Sequence, residues 1–140
     1  MTDAFAPVEL MSGTAVQVLP MTSGVAARIC EQANALGFSS ARIDLAGCID
    51  KAGLLERTAR ALYFPDWFGH NWDAWFDCLV DLGWRPAPGH VLIFEHADEL
   101  RRDSPEVFDT AVSILEEVAK VWARRDVPLR AFIGHSGSAH

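Results

Sequence analysis

Short apolar runs alternate with amphipathic helical patterns along this chain, and that alternation restricts the possible folds more than any other feature. The predicted strands cover residues 15–19, 40–45, 90–94 and 129–133. A helical pattern follows each strand except the last, and strands that are joined by helices usually pair in parallel. The sequence therefore predicts an α/β fold with a small parallel sheet packed by helices.

Capping and turn residues mark the helices between these strands. One helix is predicted over 23–36. Asp50 is a suitable N-cap for the next helix, which Pro65 stops. Ser104 and Pro105 provide the N-cap and the first helical position of the longest helix. At 140 residues the chain has the size of one domain and can bury a core without disulfides or metal.

The first forty residues allow two arrangements. A right-handed β-α-β crossover would place strand 15–19 beside strand 40–45 and extend the sheet from three strands to four. The alternative is an arm that wraps loosely around the domain. We predict the first arrangement, with 1–39 as an N-terminal extension, 40–135 as the main domain and 136–140 as a mobile tail.

Residues 64–84 combine acidic and aromatic side chains without any basic residue between them. The segment reads F-P-D-W-F-G-H-N-W-D-A-W-F-D-C-L-V-D-L-G-W and contains four aspartates, seven large aromatic residues and no lysine or arginine. On an ordinary solvated helix face, acidic residues are usually mixed with basic ones. An acid-only stripe beside aromatic rings therefore indicates a preformed site for a positively charged partner.

The segment contains a predicted helix with two distinct sides. Gly69 permits a turn and Asn71 is a good N-cap, so the helix is expected over 72–82. At 100° per residue, the aspartates form one row and the large apolar residues fall on another side. The row is Asp73, Asp77 and Asp81; the apolar side is Trp72, Trp75, Leu79 and Leu82; Phe76 and Val80 lie on the border.

The acidic row opposes helix formation, because like charges one turn apart destabilise an isolated helix by roughly 0.2–0.5 kcal/mol per pair. Asp73 alone has a simple explanation, since a carboxylate in the first turn interacts favourably with the helix dipole. That explanation does not extend to Asp77 and Asp81, although an ordinary solvated acidic face remains an alternative. We interpret Asp73 and Asp77, with Phe76, as a binding surface.

The order of residues from Phe64 to Leu79 resembles the signature of the barstar family, whose founding member is the intracellular inhibitor of the secreted ribonuclease barnase. The matching features are a proline, an acid, two aromatics, a glycine, an asparagine, two aspartates four apart around a bulky aromatic, and then Cys-Leu. A looser similarity extends from Ala41 to the last apolar stretch at 129–133. The resemblance implies a barstar-like two-layer α/β fold with a three-stranded parallel sheet, which an N-terminal strand and helix could extend.

The resemblance also implies inhibition by occlusion of a small basic ribonuclease. Asp77 would take the place of an RNA phosphate among the nuclease's arginines, lysine and histidine, with Asp73 as its companion contact. The loop and helix around them would complete the surface. The implied partner-binding residues are Trp67, Gly69, Asn71, Asp73, Phe76, Asp77, Val80 and Trp84.

Two departures from the family pattern bear on the identity of the partner. Two additional residues separate the cysteine of the motif from the Gly83-Trp84 pair. The family's further acidic contact, on its last long helix, falls near Val121, and Glu116 and Glu117 lie about one turn earlier. A second interpretation is therefore a barstar-like interaction or immunity protein whose partner is another basic protein toxin rather than a ribonuclease.

Charge and cysteine usage argue against several other classes of protein. A net charge of −7 and a pI near 5.1 disfavour nucleic-acid binding, which requires clustered lysine and arginine; we assign no function to the arginine pairs at 101–102 and 124–125. No apolar run approaches the ~20 residues that span a bilayer, and no basic secretory signal is recognisable, so we expect a cytoplasmic protein. The three cysteines and five histidines have no metal-ligand spacing, and we expect no metal or cofactor.

An enzyme is the remaining alternative. Asp73 and Asp77 could act as an acid/base pair only in a pocket that separates their pKa values, and a convex helix face offers no such pocket. A catalytic Cys78 would need an activating base, and nothing in the sequence fixes His70 beside it. We therefore expect a binding protein rather than an enzyme.

Overall fold

The chain folds around one parallel sheet, and a computed structural model describes residues 10–11, 13–66 and 68–136. The strands are β1 (Val16–Pro20), β2 (Ser39–Asp44), β3 (His90–Glu95) and β4 (Leu129–His135). The helices are α1 (Ser23–Ala35), α2 (Lys51–Leu62), α3 (Trp72–Asp81), α4 (Asp98–Asp103) and α5 (Pro105–Arg124). Strands and helices alternate, and the predicted α/β class with a parallel sheet is confirmed.

The sheet has the strand order β1-β4-β3-β2, and all three strand pairs are parallel. Every residue of β3 and most residues of β4 are buried, so these two strands form the centre. The register aligns Ala41, Leu92, Ala131 and Val16 across the sheet. This row belongs to the main core, which α2, α3 and α5 cover.

The predicted neighbour of the first strand is wrong, because β1 pairs with β4 and not with β2. Arg42 and Asp44 occupy exposed positions of β2, and such a strand belongs at the edge of the sheet. The connection from β1 to β2 therefore crosses the whole sheet. This connection crosses the sheet in the opposite direction from the later crossovers. Its helix, α1, also lies on the opposite face of the sheet from α2, α3 and α5. Because both the direction and the face are reversed, all the crossovers have the same hand.

Helix α1 adds a third layer on that opposite face. Thr22 caps the helix, since its hydroxyl oxygen accepts a hydrogen bond from the Val25 amide at 3.1 Å. The buried residues of α1 pack against Val91, Ile93 and Phe132, which point away from the main core. Strand β1 thus adds a fourth strand at one edge of the sheet, and helix α1 covers one of its faces.

Two local predictions require correction. The third strand continues to Glu95, because Arg42 donates two hydrogen bonds of 2.6 and 2.8 Å to that buried carboxylate. Helix α5 begins at Pro105 as predicted, but the Ser104 hydroxyl donates to the Ile49 carbonyl at 2.5 Å and does not cap the helix. Helix α4 was not predicted, since a single apolar residue in six gives it no periodic face.

Of the predicted tail at 136–140, only Ser136 lies within the described residues, where its amide donates to Asp98 at 2.9 Å. The first nine residues of the N-terminal extension also lie outside the description. None of the helices in the described part of the chain combines the length and the apolar character that crossing a bilayer requires.

Candidate protein-binding site

Helix α3 carries the acidic row, and Asn71 fixes the start of this helix. The Asn71 side-chain oxygen accepts a hydrogen bond from the Ala74 amide at 2.8 Å, and its side-chain nitrogen donates to the Gly69 carbonyl at 3.3 Å. A Cβ atom on Gly69 would lie 3.2 Å from that nitrogen. The predicted N-cap is confirmed, and Asn71 also ties the preceding loop to the helix.

The other end of α3 is held by α5. The Trp122 indole nitrogen donates to the Leu79 carbonyl at 2.9 Å, and Arg125 donates to the Val80 carbonyl at 2.6 Å. The guanidinium group of Arg125 also lies 4.6 Å from the centre of the Trp122 ring. Both side chains satisfy carbonyls that the end of a helix leaves free. Local sequence patterns offer no reason to pair Arg125 with α3, because the contact joins distant parts of the chain.

The inner side of α3 is built largely as predicted. Trp75, Leu79 and Leu82 are fully buried. Trp72 is only half-buried, and its ring meets the Trp75 ring edge to face at a centroid distance of 5.5 Å. Trp72 shares this side of the helix with the other three residues, as predicted, and its ring lies at the margin between α3 and α5.

Cys78 lies in the core rather than in a reactive site. Its side chain is fully buried, and burial raises the pKa of the thiol to about 11, with Asp81 and Asp77 adding to the rise. At neutral pH the thiol is therefore protonated, whereas nucleophilic cysteines act as thiolates.

The outer side of α3 presents the acidic row to solvent. Asp73, Asp77 and Asp81 are all exposed. Among the described residues, none of the three is paired with a basic side chain. Asp81 accepts a hydrogen bond of 3.3 Å from the Gly83 amide. The carboxylates of Asp73 and Asp77 are thus available to a basic partner.

Aromatic side chains brace the loop that precedes α3. Phe64 packs edge to face against Phe68 at 5.1 Å and against Trp84 at 6.1 Å. The Trp84 indole nitrogen donates to the Leu62 carbonyl at 2.8 Å, and the ring is half-buried. Trp84 therefore supports the loop from within the protein, and only part of its ring is available to a partner. Trp67, the predicted loop contact, lies outside the described residues.

Phe76 and Val80 are half-buried and border the acidic row, as expected for residues between the two sides of the helix. The structure therefore brings together Gly69, Asn71, Asp73, Phe76, Asp77, Val80 and Trp84 around one helix and its preceding loop. Within the described residues, no group of three or more potential ligands could hold a metal ion. The arrangement is a convex acidic surface with aromatic flanks.

Comparison with known proteins bears directly on this surface. The model of the Barstar family, described as barstar (barnase inhibitor), matches residues 38–134. The match covers more than half of the chain and includes the acidic helix. The chain belongs to the barstar family. Among curated proteins, no sequence matches this chain. The family match begins just before β2, so β1 and α1 lie outside the part that the family model matches.

Position 121, where the family resemblance expects a further acidic contact, carries a half-buried valine on α5. Glu117 lies one turn earlier on the same helix and is exposed. Glu117 also lines a groove that includes Asp73 and Phe76 of α3. The spacing on α5 alone could not reveal this proximity, because it depends on how α5 packs beside α3.

Proposed function

We propose that this barstar-family protein inhibits a small basic ribonuclease by binding over its active site. Asp77 would occupy the position of an RNA phosphate, and Asp73 would contact the same cationic cleft. The observation that carries the proposal is the exposure of both carboxylates, one turn apart and unpaired among the described residues. The family description as a barnase inhibitor supports the same function.

The geometry favours a binding role because side chains hold both ends of α3 in place. Asn71 at one end, and Trp122 with Arg125 at the other, hold the helix by side-chain hydrogen bonds. A preorganised surface loses less conformational entropy on association. Phe76 at the border of the row can exclude water from the charged centre, as aromatic residues do in many interfaces. Inhibition of this kind requires no chemistry from the protein.

Electrostatic attraction should accelerate the association. The chain carries a net charge of −7, which would steer a basic ribonuclease towards it. Salt screens such steering, so the association rate should fall as ionic strength rises. We also propose a cytoplasmic location, where the inhibitor would protect cellular RNA from the nuclease.

A second candidate is an interaction or immunity protein for a basic toxin that is not a ribonuclease. Val121 favours it, because the acidic contact that the family resemblance expects at this position is absent. The two candidates share the surface and differ only in the chemistry of the partner.

An RNA-cleavage assay tests the proposed function. A purified barnase-type ribonuclease should lose its activity at a one-to-one ratio of the protein, and RNA substrate should compete with the inhibition. Full nuclease activity in excess protein would contradict the proposal. A pull-down from the source cells then separates the candidates, since a captured nuclease supports the first and a captured toxin without nuclease activity supports the second.

A further inference from the structure

The two edges of the sheet differ in their protection against pairing with another chain. Strand β2 carries the exposed charged side chains of Arg42 and Asp44. Arginines from other elements also occupy two of its carbonyls, since Arg85 donates to the Ser40 carbonyl at 3.2 Å and Arg57 donates to the Asp44 carbonyl at 3.1 Å. Charged side chains and occupied backbone groups disfavour strand addition, so the β2 edge is closed.

The β1 edge lacks this protection. The strand reads V-Q-V-L-P and contains no charged residue. Its middle residue, Val18, is 38% exposed. Between the start of β1 and α5 lies a groove of about 440 Å³ whose lining includes Ala119 and Ala123, so the helix does not cover this part of the edge. An uncharged and uncovered edge strand is a template for another strand.

Backbone hydrogen bonds show which residues of β1 face outward. The Ala131 amide donates to the Ala15 carbonyl and the Met21 amide donates to the His135 carbonyl, both at 2.9 Å, so odd-numbered residues of this segment bond to β4. Backbone groups of successive residues point to opposite sides of a strand, and the even-numbered residues therefore direct theirs away from β4. These residues are Val16, Val18 and Pro20.

Only some of the outward backbone groups remain free. Pro20 has no amide hydrogen to donate. The Val16 carbonyl already accepts a hydrogen bond of 2.9 Å from the Thr14 hydroxyl. The groups that can pair with a further strand are thus the amides of Val16 and Val18 and the carbonyls of Val18 and Pro20.

We propose that β1 pairs antiparallel with β1 of a second copy of this chain, around a twofold axis at Val18. In this register each Val18 amide donates to the Val18 carbonyl of the other copy, and each Val16 amide donates to the Pro20 carbonyl. The missing amide of Pro20 faces the Val16 carbonyl, which Thr14 already satisfies. The outward groups of β1 are therefore complementary to themselves, and the two four-stranded sheets become continuous.

Side chains at the axis fit the same arrangement. Side chains alternate along a strand, so Val18 lies on the same face as Val16, which belongs to the main core. The twofold axis places the two Val18 side chains opposite each other on that face, where they form an apolar cross-strand pair. Pairing would thus remove from water the exposed part of an apolar side chain.

The proposed interface lies in the N-terminal extension, because the family match begins at residue 38. It also leaves the acidic row accessible. The groove beside α3 is lined by Ser113 of α5, whereas the groove beside β1 is lined by Ala119 and Ala123 from another side of that helix. Each copy in the dimer can therefore bind its own partner, and the interface does not depend on the proposed function.

Sedimentation velocity tests the dimer. The protein should form a species of twice 15.4 kDa, with a dissociation constant on the order of 10 μM because the strand pair is short. Val18→Lys puts like charges at the axis and should raise that constant at least about tenfold. Ile49→Lys makes the same kind of change at an exposed residue in the loop before α2, and should raise it less than about twofold.

Circular dichroism would check that both lysine variants keep the fold. A single species of 15.4 kDa at every concentration up to about 500 μM would overturn the proposal, as would equal effects of the two substitutions.

Disulfide cross-linking tests the register without relying on those variants. Residues directly opposite in a hydrogen-bonded antiparallel pair have Cα atoms about 5.5 Å apart, a spacing that a disulfide can bridge. Val18→Cys should therefore form a covalent dimer under mild oxidation. Pro20→Cys, at the same exposed edge, lies opposite Val16 and should cross-link no faster than the unmodified protein with its half-buried Cys30. Equal cross-linking of the two variants would contradict a twofold axis at Val18.

Discussion

The carboxylate of Asp77 does not pair with Arg125, although this arginine lies close to the end of the same helix. Arg125 donates to the Val80 carbonyl and stacks on Trp122 instead of pairing with the acidic row. An internal ion pair would have to break before a partner could bind, and its loss would offset the new contact. A carboxylate without such a pair retains its full electrostatic interaction for a cationic cleft.

The roles of the three aspartates on α3 should differ. Truncating one partner of a buried, hydrogen-bonded charge pair costs about 2 kcal/mol or more, a general range for which barnase–barstar is itself a reference system. Asp77→Ala should therefore weaken ribonuclease binding at least about 30-fold. Asp81→Ala should change binding by less than about 1 kcal/mol, since that residue lies a turn further along. Isothermal titration calorimetry would measure both, and equal small losses would contradict the assigned role of Asp77.

Cys78 should be chemically inert in the folded protein. Its buried thiol has a pKa raised to about 11, so almost no thiolate is present at pH 8. Mass spectrometry after treatment with iodoacetamide should find Cys78 unmodified until denaturant is added, with the half-buried Cys30 as an internal comparison. Rapid native modification of Cys78 would show that α3 opens readily, against the rigid helix that the proposed function requires.

Helix α3 carries like charges that repel one another, and side-chain hydrogen bonds at both of its ends stabilise it. Its acidic row costs stability, and side chains from outside the helix compensate at both ends. Asn71 acts at the first turn, while Trp122 and Arg125 act at the last. The element is therefore held in place by its neighbours and not by its own charge pattern, which is consistent with selection for binding.

Removing the cap of α3 should lower both stability and affinity. Asn71→Ala eliminates the hydrogen bonds to the Ala74 amide and the Gly69 carbonyl, and should reduce the free energy of unfolding by about 1 kcal/mol. Asn71→Asp keeps a capping oxygen and should lose much less. Urea denaturation would compare the two variants. An equal loss in both would show that the cap hydrogen bond is not what stabilises the helix start.

Buried His90, in the centre of the fold, should make the stability of the whole molecule depend on pH. This residue is buried in β3, where burial and then the charge of Arg85 lower its pKa from 6.5 to about 4. Ser39 forms a 2.7 Å hydrogen bond with the ring, and Trp122 packs against it. Because the folded-state pKa lies below the unfolded-state value, protonation favours the unfolded chain. The contribution of the neutral His90 ring to the free energy of unfolding is therefore complete above pH 6.5, and it is lost as pH falls towards 4.

The expected loss is at most about 4 kcal/mol, since one pKa unit corresponds to about 1.4 kcal/mol. Urea denaturation between pH 7 and pH 4.5 would measure it. A His90→Gln variant should be less stable at pH 7 but should show a flatter dependence on pH in this window. An equally steep dependence in the variant would assign the effect to other groups.

Local patterns in the sequence were enough for the helix around Asp73 and Asp77, because capping and a 3.6-residue period act within a few residues. They were not enough for the placement of β1, since the choice of neighbour depends on which strands are central across the whole sheet. The same limit applies to Arg125 and Glu117, whose proximity to α3 arises only when α5 packs beside it. The part of the site on α3 was thus predictable, and the part on α5 was not.

In the proposed complex, carboxylates of α3 take the place of an RNA phosphate in the nuclease. The most direct measurement is equilibrium competition between this protein and a ribonucleoside 3′-phosphate for a barnase-type ribonuclease. We predict that the apparent dissociation constant of the complex rises in proportion to nucleotide concentration once the nucleotide saturates the active site, and that the complex with Asp77→Ala is less sensitive. An affinity that does not change at saturating nucleotide would show that α3 does not occupy the phosphate site of the nuclease.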